Sequence, residues 1–199
     1  MEFTIGEQHY RTAKLDTFRQ FHVSRKLLPV LSGLFGKAGM AGAEGQVDVT
    51  SIIEGVSTTL AGMPDADCEY VLQACLAVTA RQQGNAWARV WDSNSRTLMF
   101  DDIDMSVMLQ ITVKVVQESL GNFFSRTPRK TGHFAHPVSA IEWSTLPDGE
   151  DWLLRPALKG LCRFESLKNG VIDLADIALM NEALDVEAEN KMKGQRGDG

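Results

Sequence analysis

The chain has 199 residues, 44% of them hydrophobic and 23% charged, with a net charge of -6 and a pI near 5.2. This supports one domain, or one domain with a smaller companion, and excludes the polar, highly charged regime of disordered chains. The acidic balance argues against general nucleic-acid binding. No apolar run reaches the roughly 20 residues that span a bilayer, and the start MEFTIGEQHYR lacks the basic and apolar regions of a signal peptide, so the expected location is the cytoplasm.

Phe3 and Ile5 before Gly6-Glu7, with Tyr10 after, predict a short β-hairpin. Leu15 to Phe35 then carries two neighbouring apolar stripes, Phe18, Phe21, Leu28, Leu31 and Phe35 beside Val23, Leu27, Val30 and Leu34. Asp16 is the expected N-cap of this multiply buried helix, and Pro29 predicts a kink or break near Leu28. Gly36 to Gly45 reads as a flexible loop without the order of a phosphate-binding loop. A second helix is expected from Asp48–Ser51, with Ser51 and Glu54 at capping-box spacing, to Leu60. A third opens at Pro64 and Asp65, carries Tyr70, Val71, Leu72, Cys75, Leu76 and Val78, and is expected to reach Gly84.

AWARVWDSNSRTLMF, from Ala86, reads as a second hairpin around Asp92 to Ser95 that pairs with the first in a small antiparallel sheet. Asp101 to Phe124 follows, with a cap at Asp101 or Asp102 and ten apolar positions from Ile103 to Leu120. Its β-branched content resembles a strand, but its length requires a helix, and one this apolar must be covered by the domain or by a partner. Ser125 to Ala140 turns basic and proline-bearing, the best boundary in the chain. Beyond it, Trp152, Leu153, Leu154, Leu158, Leu161, Phe164 and Leu167 predict one amphipathic helix stopped by Asn169-Gly170, and Asp173 is expected to cap another carrying Leu174, Ile177, Met180 and Leu184.

Catalytic and metal-binding patterns are weak. Cys68, Cys75 and Cys162 form no CxxC pair and read as small hydrophobes. His133 and His136 lack further ligands nearby, Asp101, Asp102 and Asp104 fit helix capping better than a cation site, and His22 has no nucleophile motif beside it. No catalytic, metal or cofactor site is predicted. Arg126, Arg129, Lys130 and Phe134 could touch nucleic acid, but a solvated tether is the simpler reading of four dispersed groups. Met99, Met105, Met108 and Met180, with Trp143 and Trp152, could fill the core or form an adaptable docking face.

Three ordered blocks, FTIGEQHYRTAKLDTFRQFHVSRKLLPVL, MPDADCEYVLQACL and MFDDIDMSVMLQITVKVVQESLGNFF, resemble the tail assembly chaperones of tailed bacteriophages over Met1 to Ser125. DWLLRPALKGLCRFESLKNGVIDLADIALMNEALDVEAENK resembles a small domain that phage genomes carry beside such a chaperone, so the chain looks like an extended form. The resemblance implies a non-enzymatic protein of the host cytoplasm, without cofactor, acting in several copies. It implies binding to the tape measure protein, which is kept soluble, and recruitment of tail tube protein; membrane and nucleic acid are not expected partners. A structural virion component of the tail or head-tail connector, and a nucleic-acid-binding regulator, are the alternatives.

The expected fold is α+β: a mostly helical domain over 1–125 with a sheet of two hairpins, a linker over 126–146, and a small helical domain with a charged tail over 147–199. Apolar character nominates Met105, Met108, Phe123, Phe124, Trp152, Leu153, Leu158, Phe164 and Met180 as docking residues.

Overall fold

Alternation of period two builds the first element pair. Strands β1 (Glu2–Ile5) and β2 (Gln8–Thr12) run antiparallel, Phe3 opposite Tyr10 and Ile5 opposite Gln8. Gly6 holds the two-residue loop at φ 59°, a left-handed conformation that costs glycine little. The computed structural model describes residues 1–40, 62–127 and 144–197, with side chains described for 1–28, 62–127 and 144–195.

β3 (Thr79–Gln83) and β4 (Ala86–Arg89) form the second hairpin. β2 pairs with β3, Tyr10 opposite Arg81, to give a four-stranded antiparallel sheet in the order β1-β2-β3-β4. Phe3, Tyr10, Arg81 and Ala88 line one face, where Tyr10 and Arg81 are buried. On the other face the exposed Arg11 guanidinium lies 4.7 Å from the Trp87 ring centroid.

The sheet corrects two expectations. The helix expected to reach Gly84 ends at Ala77, because Thr79 and Arg81 turn inward beside β2 and the gain in pairing overrides the helix propensity of Ala, Arg and Gln. The expected hairpin around Asp92 to Ser95 exists only as a separate ribbon of β5 (Trp91–Asp92) and β6 (Thr97–Leu98), and the sheet takes the preceding hairpin instead.

α1 (Thr17–Met40) starts where expected: the Asp16 carboxylate accepts from the Arg19 backbone N–H at 2.9 Å. It continues across Pro29 and Gly36, so of the predicted kink or break near Leu28 the break is absent, as is the predicted loop over 36–40. One lost donor does not by itself end a helix, here anchored in the core upstream of Pro29 by Phe21, Val23 and Leu27, while Leu28 is exposed. The rest of that loop, the helix expected from Asp48 to Leu60, and the stretch holding His133, His136 and Trp143 lie outside the described residues.

α2 (Asp65–Ala77) carries Asp65 and Asp67 in its first turn, at the positive end of its dipole. α3 (Met105–Ser125) is helical, as its length required. Its cap is Asp104, whose carboxylate accepts from the Val107 N–H at 2.9 Å; Asp101 and Asp102 lie three and two residues too early. Ile111, Val113, Val115, Val116 and Leu120 are buried, and its two buried hydroxyls are satisfied, Thr112 donating to the Met108 carbonyl and Ser119 accepting from the Leu15 N–H. Met105 is the one large apolar side chain of α3 that stays exposed. The helix therefore uses its apolar surface inside the protein.

The single amphipathic helix expected over Trp152 to Leu167 is two: α4 (Asp151–Leu158) and α5 (Phe164–Lys168). α4 stops in a Schellman turn, in which Leu161 N–H reaches the Pro156 carbonyl and Gly160 N–H the Ala157 carbonyl, with Gly160 at φ 75°. α6 (Leu174–Gly197) begins at Asp173 as expected, in a reciprocal box: Asp173 accepts from the Ala175 and Asp176 N–H groups, and Asp176 accepts from the Asp173 N–H at 3.0 Å.

Candidate docking surface

The C-terminal helices have an inner and an outer side. Inside, Leu153, Leu167, Leu174 and Ile177 are fully buried in the same core as α1 and α3. Aromatic rings continue the seam, with Trp152 stacked on Phe21 at 6.4 Å and edge-on to Phe123 at 6.3 Å.

Buried polar groups fix this seam. Gln20, wholly buried, donates to the Leu15 carbonyl at 2.7 Å and accepts from the Leu174 N–H at 3.0 Å, joining α1 to the start of α6. Thr17 donates to the Ile172 carbonyl beside it. Asn181 repairs a local defect: Pro156 cannot donate to the Trp152 carbonyl four residues back, and the Asn181 amide donates there instead at 2.9 Å. Arg155 completes the set, reaching Asn181 at 3.3 Å and Asp185 at 2.7 Å. An ion pair and a hydrogen bond rim the seam, Arg126 with Glu182 at 2.7 Å and the His22 ring with Glu150 at 2.9 Å.

The nominated docking residues divide between the two sides. Leu153 is fully buried and has no surface to offer, which corrects its nomination. Phe123, Trp152 and Met180 are half-buried against the core, and Phe124 packs edge-on to Phe123 at 5.3 Å. Met108 is half-buried and Met105 is 56% exposed at the opposite end of α3. Leu158 is 83% exposed, and Phe164 is 43% exposed, resting edge-on against Phe18 at 5.6 Å.

Sequence reasoning did not nominate Leu161 and Val171, which are 49% and 73% exposed and fall in the same short stretch. One signal was available. Successive helical residues are rotated by about 100°, so Leu153 and Leu158 lie about 140° apart on α4 and cannot both face the core.

Charge is also unevenly placed. Lys159, Arg163 and Lys168 are exposed among these apolar residues, the Lys168 ammonium 4.8 Å from the Phe164 ring centroid, and Glu165 is the one exposed carboxylate within Leu158 to Val171. Elsewhere, Arg81 of β3 is buried on one face of the sheet, bonded to Asp102 at 2.6 Å and Gln8 at 3.0 Å, and lies 4.6 Å from the Phe100 ring centroid. The Arg81 bond holds the Asp102 carboxyl below its usual range, and burial pushes the Tyr10 hydroxyl up. Beside this clamp, Ala88, Arg89, Trp91, Asp92, Met99 and Phe100 line a shallow depression of about 330 Å³.

Among the described residues no three His, Cys, Asp or Glu side chains come together as a metal-binding group. The three cysteines are unpaired, and burial pushes the Cys75 thiol up to about 12. No helix among the described residues is long and apolar enough to cross a membrane. The arrangement is suited to holding another apolar surface.

A family model described as phage tail assembly chaperone protein matches residues 6–134, well over half of the 199 residues. A second family, of unknown function, matches residues 162–196. No curated protein and no solved structure matches.

Proposed function

Because the chain belongs to the phage tail assembly chaperones, we propose that it binds the tape measure protein, keeps it soluble in the host cytoplasm and helps recruit tail tube subunits, without catalysing a reaction. The observation that carries this reading is the run of exposed apolar side chains along the C-terminal helices and the turns between them, Leu158 above all, which the protein's own core does not use. Exposed apolar groups in proximity are what a binder of long, aggregation-prone helices requires. The net charge of -6 opposes self-association of the free protein.

The test is co-expression with the tape measure protein of the same genome, followed by affinity capture and light scattering. Capture in one soluble complex, with scattering by the tape measure protein suppressed, is the expected result. A tape measure protein equally soluble with and without this chain, and not retained by it, refutes the proposal.

A further inference from the structure

We propose that the outer side of Leu158 to Val171 is the docking site, and that its ligand is an amphipathic helix of the client with carboxylates beside its apolar stripe. This rests on the chaperone reading and adds to it the surface used and the chemistry recognised.

Position comes first. Leu158, Leu161, Phe164 and Val171 follow one another along 14 residues whose opposite side is anchored by fully buried Leu153 and Leu167. The Schellman turn at Gly160 points the chain from α4 into α5, and Phe18 supports the Phe164 ring from below. The apolar groups are therefore displayed on fixed elements, which removes part of the ordering cost of binding.

Charge identifies the occupant. Lys159, Arg163 and Lys168 alternate along the chain with these apolar groups, the Lys168 ammonium 4.8 Å from the Phe164 ring centroid. Glu165 is the one exposed carboxylate within Leu158 to Val171, a local reversal of sign in a chain of net charge -6; the neighbouring Asp16 and Asp173 are already paired with Arg19 and Lys14. Glu187 of α6 is near Lys159 but is already paired with Lys191 at 2.5 Å. An apolar stripe flanked by cations is the complement of a helix whose own stripe is flanked by Asp and Glu. Nucleic acid fits less well, because Leu158, Leu161 and Val171 offer aliphatic groups where bases need aromatic platforms. A second copy of this chain carries the same cations at this site, so face-to-face pairing would set like charges together.

The test uses the full chain with the tape measure protein of the same genome. Leu158→Glu with Leu161→Glu, and separately Lys159→Glu with Arg163→Glu and Lys168→Glu, are compared with wild type by pull-down titration, with thermal melts as a folding control. Both variants are expected to melt as wild type and to bind about tenfold or more weakly. Wild-type binding should weaken as salt is raised, whereas any residual binding by the charge-reversed variant should not, since that variant has lost the attraction. Wild-type capture that neither variant weakens overturns the docking site and leaves the proposed function standing; absence of wild-type capture overturns both. Wild-type dimers that either variant dissolves, or nucleic-acid binding lost on charge reversal while the client is still held, also overturn this assignment of the ligand.

Discussion

The two sides of the C-terminal helices use the same residue type for opposite ends. Leu153, Leu167 and Leu174 are buried against α1 and α3, while Leu158 and Leu161, a few residues away, point into solvent. On the inner side each buried polar group has a defined partner, so position there is set by hydrogen-bond geometry as well as by packing. On the outer side Leu158 and Leu161 are exposed, and nothing among the described residues requires a hydrophobe there. The difference separates residues that hold the fold from residues free to meet another molecule, a distinction hydrophobicity alone does not make.

Breaking the inner side should give the largest effect. Leu167→Ala, at a site with no exposure, is expected to cost about 2–5 kcal/mol in urea unfolding. Gln20→Ala should come next, at about 1–3 kcal/mol, because the Leu174 N–H and the Leu15 carbonyl lose a buried partner; faster amide exchange at Leu174 is its specific readout. A loss confined within error would show that the seam is held by packing alone.

Asp102 tests an intermediate case, an exposed carboxylate on a buried cation. Its pKa is lowered in the folded state by the bond to Arg81, so its contribution is present above the unfolded value of roughly 4 and disappears as pH falls through the folded value. Wild type should therefore exceed Asp102→Asn in stability at neutral pH, with the gap closing below about pH 4. A gap that persists at pH 2 would mean that the ion pair is not its source.

The smallest effect on stability belongs to the outer side. Leu158→Ser should leave the melting curve within about 0.5 kcal/mol of wild type. If it destabilises by more than about 1 kcal/mol, Leu158 serves the fold and the two sides are not distinct.

Much of this arrangement was legible beforehand. The first hairpin, the Asp16 and Asp173 caps and the helical state of Met105–Ser125 follow from local chemistry, which acts within a few residues and leaves a local signature. β3 did not follow, because Thr79–Gln83 lies between β4 and β2, the latter about 70 residues earlier in the chain, and its Ala, Arg and Gln residues carry no strand propensity of their own. The split of α4 from α5 had its signal in Pro156 and Gly160, outweighed in the reading by an unbroken apolar period. Among the nominated docking residues, Trp152 and Leu153 were as apolar as Leu158. Only the rotation about α4 separates inner from outer, and that helix ends at Leu158, nine residues before the Leu167 that its apolar period predicts.

The bond between Gln20 and Leu174 also sets an order of events during synthesis. Its partners are 154 residues apart, so at roughly 5–20 residues per second the α1 amide waits on the order of ten to thirty seconds for the N–H that completes it. Through that interval Phe21 lacks Trp152, and the growing chain carries an uncovered aromatic and polar face on α1. The C-terminal helices thus close the fold last, and a pause in translation after Arg126 would lengthen the exposure of a surface that the finished molecule keeps to itself.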